Sequence, residues 1–207
     1  MARIANAKSK VRWLHAFAVA SAAAGLLAVG AAAPGAGAMA PSAGAAGCAG
    51  ASATPGDVDA DALVQATLCL LNQERSRYAL SPLRLNARLS RAALAHSRDM
   101  VAYHYFAHTT PSGVKPADRV RATGYFDGTR AWTIGENIEW GTLTLSSPKA
   151  TVRGWMASPH HRENILYGSY RDIGIGIVVG VPLGLDGPAG TYTTDFGVKE
   201  LTPRHGR

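Results

Sequence analysis

His108, Glu136 and His161 are the side chains of this chain whose types could together do chemistry. Two imidazole nitrogens and one carboxylate form a donor set that a divalent ion such as zinc accepts, with a coordination position left for water or substrate. Five of the seven histidines fall between positions 96 and 161, and Glu136 stands between a flexible Gly135 and the amide of Asn137. The set lacks the two-histidine helical spacing of a common zinc protease, so three readings stay open. The trio binds a metal or another ligand in a cleft, hydrogen-bonds internally to hold loops together, or catalyses. In the catalytic reading, a metal-dependent extracellular hydrolase or peptidase uses Glu136 as general base or ligand and the histidines as ligands. His160 should face away from His161, because successive helical residues point about 100° apart. Ser97 and Ser158 lie near histidines, but neither sits on a strand-turn-helix elbow and nothing marks an oxyanion hole.

These side chains need elements to carry them. Apolar residues recur at helical spacing from Asp59 to about Ala79, with Asp residues at the front and Arg75 and Arg77 near the end, as the helix dipole favours. Asn86 is an expected N-cap for a second helix running to about His104, with Leu89, Ala92, Ala93, His96, Met100 and Tyr103 on its buried face. His96 is thus expected in the core, and Asp99 with Arg119 as a buried or half-buried pair. Ser147-Pro148 reads as N-cap and first residue of a helix through Met156, and a helical turn follows around His161–Leu166. From Ile173 the period changes to two, and a second alternating run places Tyr192, Thr194, Phe196 and Val198 on one side. That is a β-hairpin with a long loop, joined by a shorter strand near Ala131–Ile134. The glycines of the first run suit close packing. Helices preceding adjacent strands indicate an α+β layered domain.

The chain has 207 residues, with 21 Lys and Arg against 14 Asp and Glu. The first fifty residues hold twenty alanines, four of the basic residues and no acid, so the rest carries a net charge of only +3. Its basic residues are scattered, which argues against a nucleic-acid partner. Positive charge up to Arg12, an uncharged stretch from Trp13 to Ala33 and Ala38-Met39-Ala40 follow the order of a secretory signal peptide. Cleavage after Ala40 would leave a flexible Ala/Gly-rich stalk over 41–58, a folded domain over 59–200, a tail over 201–207 and no membrane span. Cys48 and Cys69 are the two cysteines, and in an oxidising compartment they are expected to pair.

A series of short motifs resembles the bacterial branch of the CAP superfamily, whose modules are also called SCP-like domains. The resemblance runs over about residues 61–198 through Cys69-Leu70-Leu71-Asn72-Gln73-Glu74-Arg75, Ala95-His96-Ser97-Arg98-Asp99-Met100, Tyr105-Phe106-Ala107-His108 and Gly124-Tyr125. It continues through Gly135-Glu136-Asn137-Ile138, Trp155 to Leu166, Gly174-Ile175-Gly176 and Asp195-Phe196-Gly197. It implies an α-β-α sandwich around a central antiparallel sheet, with a cleft lined by two histidines and two glutamates. His108 and His161 match the histidines and Glu136 matches the first glutamate. The second glutamate has no counterpart, and His160 replaces the usual glycine. The resemblance implies a secreted, monomeric module that binds without turnover, its partner being a small lipid-like ligand, a divalent metal or a component of the cell envelope.

Overall fold

The computed structural model describes residues 47–184 and 188–202. The expected signal peptide, the first part of the stalk and most of the tail lie outside them. The element order is α1 (Ala60–Arg77), β1 (Arg84–Leu85), α2 (Ala87–Ala102), α3 (Pro116–Ala122), β2 (Thr129–Thr142), a 3-10 turn (Leu143–Ser146), α4 (Pro148–Ala157), α5 (Pro159–Leu166), β3 (Asp172–Val179) and β4 (Ala189–Leu201). The helix starts follow local chemistry. Asn86 caps α2 by accepting from Arg88 N and Leu89 N, and the Ser147 hydroxyl accepts from Ala150 N ahead of Pro148.

The strands form one sheet in the order β1-β3-β4-β2. β3, β4 and β2 are antiparallel neighbours, as expected, while the two-residue β1 adds a parallel edge. The strand expected near Ala131–Ile134 is the start of the fourteen-residue β2, which forms the opposite edge of the sheet. α1, α4 and α5 cover one face, and α2 and α3 cover the other.

The two faces are built differently. Ile173, Ile175, Ile177, Tyr192 and Phe196 pack with Leu63, Leu71, Trp155 and Ile165 under α1, α4 and α5. On the other face β3 presents Gly174 and Gly176. A Cβ at either would overlap backbone atoms of α2, so these glycines let the helix rest directly on the strand. The expected buried face of α2 is observed except at Tyr103, which caps the helix and is exposed because its backbone has already left the helical turn.

The described part of the expected stalk is held against the domain. Cys48 and Cys69 are bonded with their Cα atoms 5.7 Å apart, and Lys149 N donates to Ala51 O at 2.9 Å. Closing a loop of this length stabilises the fold by about 3 kcal/mol in the chain-entropy account. Among the described residues no helix is long and apolar enough to cross a membrane.

Candidate functional site

Gly135, Glu136 and Asn137 lie on the edge strand β2, where alternation sends neighbouring side chains to opposite faces. Asn137 turns toward α5: its Nδ2 donates to His161 O at 3.0 Å, and Asn164 Nδ2 donates to Asn137 Oδ1 at 2.8 Å and to Glu136 O at 3.2 Å. Gly135 leaves room for this docking, since a Cβ there would stand 2.5 Å from Asn164 Oδ1 and 2.7 Å from Tyr170 Oη. Arg75 fixes the far end of α5. Fully buried, it donates to the carbonyls of Ser81, Ile165, Tyr167 and Tyr170 at 2.7–3.2 Å.

Glu136 turns to the α2 and α3 side and is buried. Its Oε1 accepts from His108 Nδ1 at 2.7 Å, and its Oε2 accepts from Arg119 Nη2 at 2.5 Å. The same Arg119 nitrogen donates to His108 O at 2.9 Å, so the guanidinium ties the loop carrying His108 to the carboxylate. The expected pairing of Asp99 with Arg119 is not observed. Asp99 accepts a hydrogen bond from Tyr105 Oη, while α3 brings Arg119 to Glu136.

His96 is fully buried, as expected of a core histidine, and Nε2 donates to Ala107 O at 3.1 Å. It also stands 3.9 Å from Glu136 Oε1, directly behind the site. Burial is the first cause that pushes its pKa down; Arg119 acts in the same sense, and Glu136, the Ala107 carbonyl and Asp99 oppose it.

Asp195 lies opposite Glu136 on β4. The Glu136 carbonyl is engaged by Asn164 on the outer side of β2, so this is a cross-strand pair of the kind without mutual backbone bonds, which brings side chains close. Asp195 is fully buried, and its carboxyl faces that of Glu136, to which it can donate a hydrogen bond in its protonated form. Burial first and the Glu136 carboxylate second raise its pKa well above the ordinary range, against the pull of Arg119.

His161 enters from α5, on the other side of the β2 edge. Its Nδ1 is buried without a partner. Its pKa is lowered, by burial first and then by the nearby His108 and His160. His160 is exposed and lines a separate surface groove with Met156, Arg162 and Leu166. The structure therefore joins His108 and Glu136 by a direct hydrogen bond and sets His161 within electrostatic reach of His108. Among the described residues no group of three or more His, Cys, Asp or Glu side chains is placed to hold a metal ion together.

A sequence model of the cysteine-rich secretory protein family, CAP, matches residues 68–183. The chain belongs to this family. Two relatives come from Bacillus subtilis strain 168. The uncharacterised protein YkwD is 38% identical over 109 residues, 53% of this chain and 40% of its own length. The uncharacterised membrane protein YlbC is 31% identical over 110 residues, 53% of this chain and 30% of its own. An extracellular SCP-domain protein of Bacillus anthracis superposes with a TM-score of 0.51 at 28% identity, covering 68% of this chain and 44% of that one. An outer surface protein of Borrelia burgdorferi shares the fold, with a TM-score of 0.57 at 17% identity over 69% of this chain and 97% of its own. This CAP chain spans less than half the length of the two Bacillus subtilis relatives.

Two members of the cluster carry sequence signals that do not by themselves lead to the site. Asp195 lies in the Asp195-Phe196-Gly197 motif, inside the second alternating run and on the side opposite Thr194 and Phe196, which marks it as a strand residue facing the other layer. Arg119 follows Pro116 and Asp118, a helix-start signal for α3 that could have placed it.

Proposed function

We propose that this CAP domain is an exported binding module whose cleft takes up a divalent transition-metal ion through His108 and His161. The observation that carries the reading is a pair of imidazoles with nitrogen left over. His108 is half exposed, and its Nδ1 is pinned to a buried carboxylate, leaving Nε2 free of that contact. His161 keeps a buried Nδ1 without a partner. A carboxylate behind a ligating imidazole fixes its tautomer and raises its basicity, and Glu136 has the geometry for that role. Two imidazole nitrogens suit zinc, copper, nickel or cobalt better than magnesium or calcium. When bound, such an ion would supply a positively charged coordination centre for a further ligand.

Glu136 supports binding over hydrolysis. Both its oxygens are engaged, by His108 and Arg119, so it is not poised to take a proton from water. Export is supported by the Cys48–Cys69 bond and by the extracellular location given for the Bacillus anthracis protein. Titration of the chelator-treated protein with zinc should show one site per chain. That site should be lost in His108→Ala and His161→Ala and weakened about 10–100-fold in Glu136→Gln. Equal zinc content in the parent and His161→Ala after dialysis would overturn the reading.

A further inference from the structure

β2 is an edge strand, and its outer side changes character along its length. Because the Glu136 carbonyl points outward, the backbone groups of Trp132, Ile134, Ile138 and Trp140 do so too, at the period of two that a strand imposes. Gly197, opposite Ile134 on β4, agrees with this, since its carbonyl turns away from β2 to accept from Arg171 N at 3.1 Å. From Glu136 onward side chains cover the outer groups. Asn164 Nδ2 donates to Glu136 O at 3.2 Å, Trp155 Nε1 donates to Ile138 O at 3.2 Å, and Trp140 N donates to Glu139 Oε1 at 3.3 Å. Trp132 and Ile134 differ. Among the described residues nothing accepts from either N–H or donates to either carbonyl. A groove of about 230 Å³ lies against this stretch, lined by Ala131, Thr133, Tyr167 and Ser169. On the other face Trp132, 40% exposed, stacks on Phe126 with ring centroids 4.1 Å apart.

We propose that residues 131–135 are a docking site for an extended peptide, which joins the four-stranded sheet as a further strand beside β2. The open backbone groups specify the occupant. They recur at every second residue, about 6.8 Å apart, with a donor and an acceptor at each, and an extended polypeptide is the partner whose own backbone repeats the complementary set. The register shift between Thr129 and Ala131 closes the stretch at one end and Asn164 closes it at the other, so about five residues of peptide fit. Alternate side chains of the added strand meet different surfaces. One set faces the Trp132–Phe126 stack, which suits aromatic or β-branched residues, and the other faces the Tyr167 and Ser169 groove. Edge strands are commonly blunted by lysine or proline, and Trp132, Thr133 and Ile134 are instead residues of high strand propensity. The site uses neither His108 nor His161, so it stands apart from metal uptake.

The test is selection of binders from a random hexapeptide library on the full exported protein, treated with chelator so that metal plays no part. Binders should carry aromatic or β-branched residues at alternate positions and should slow amide hydrogen exchange at Ile134. Trp132→Pro should weaken them at least about tenfold, because it removes an outward N–H from an edge strand, where proline is tolerated. Trp132→Ala, which removes the ring and keeps the N–H, should weaken them less. If Trp132→Pro melts early, the peptide carries the comparison: N-methylation of one alternating set of its amides should cost at least about tenfold, and methylation of the other set should be tolerated. Four outcomes overturn the proposal: no binder is selected, the binders hold Trp132→Pro as tightly as the parent, it makes no difference which amides are methylated, or the free protein forms a dimer that Trp132→Pro dissolves. The last would make a second copy of the chain the occupant. None of these outcomes bears on metal uptake.

Discussion

The two ends of α5 hold their polar groups in opposite ways. At the C-terminal end Arg75 is fully buried, and every nitrogen of its guanidinium donates to a backbone carbonyl. Toward the N-terminal end, around Glu136, two buried nitrogens of the described residues stay without partners, His161 Nδ1 and Arg119 Nε. An unmatched buried group costs about 1–3 kcal/mol, so a fold that satisfies one site and not the other gives up stability at the second. The contrast sets a fully satisfied guanidinium against nitrogens that the fold leaves unmatched.

The largest expected effect tests that contrast directly. Arg75→Ala strands four carbonyl contacts and should lower stability by at least about 3 kcal/mol in a urea titration. His161→Ala should cost less than about 1 kcal/mol, because it removes an unsatisfied nitrogen along with the ring. Equal losses in the two variants would make the cleft as structural as the Arg75 site. Gly135→Ala lies between them. Its Cβ would displace the Asn164 amide, at an overpacking cost of about 1–3 kcal/mol, and should also weaken zinc uptake by shifting α5. A variant that melts earlier with unchanged zinc affinity would show that docking of Asn164 does not position His161.

Helix starts and the inner strands are more readable from sequence than the cleft is. Asn86 and the Ser147-Pro148 pair announce their helices because capping is local chemistry, and the alternation from Ile173 announces β3 because one face is apolar. β2 announces only its first residues, since Glu136, Asn137 and Glu139 interrupt any apolar alternation, and it is α3 and α5 that satisfy Glu136 and Asn137. α3 is seven residues long with Val120 as its buried residue, too short for a periodic signal. Without α3, what it carries is misplaced as well. Charge alone matches Arg119 with Asp99, whereas Tyr105, nearer in the chain, takes Asp99 and leaves Arg119 for Glu136. The motif resemblance singles out His108, Glu136 and His161, but which groups saturate Glu136 depends on contacts between elements distant in sequence.

Acid should sharpen the comparison, because Arg75 keeps its charge throughout while His96 behind the cleft does not keep one protonation state. Burial holds the folded pKa of His96 below its ordinary value near 6.5, so below that pH the unfolded chain binds the extra proton more readily. Its contribution to stability is complete above about pH 6.5 and is lost as pH falls from there through the folded value, at up to about 1.4 kcal/mol per unit. His161 shares the direction. His96→Gln keeps a donor toward Ala107 O without a titrating ring and should flatten the slope between pH 7 and 5. An unchanged slope would assign the acid sensitivity elsewhere.

Asp195 should show the opposite sign and the smallest effect. Its folded pKa is raised above the ordinary carboxyl value, so the native state binds the proton more tightly than the unfolded chain. The stability this contributes is complete below the unfolded value near 4 and is lost as pH rises through the folded value, where ionisation would place a second buried charge beside Glu136. Asp195→Asn is nearly isosteric, cannot ionise and offers an amide donor toward the neighbouring carboxylate. It should match the parent near pH 4 and gain up to about 1 kcal/mol by pH 9 in thermal melts. A variant that instead loses stability as pH rises would mean that the fold uses the Asp195 charge, with Arg119 as its counterion, and that this carboxyl is not held protonated against Glu136.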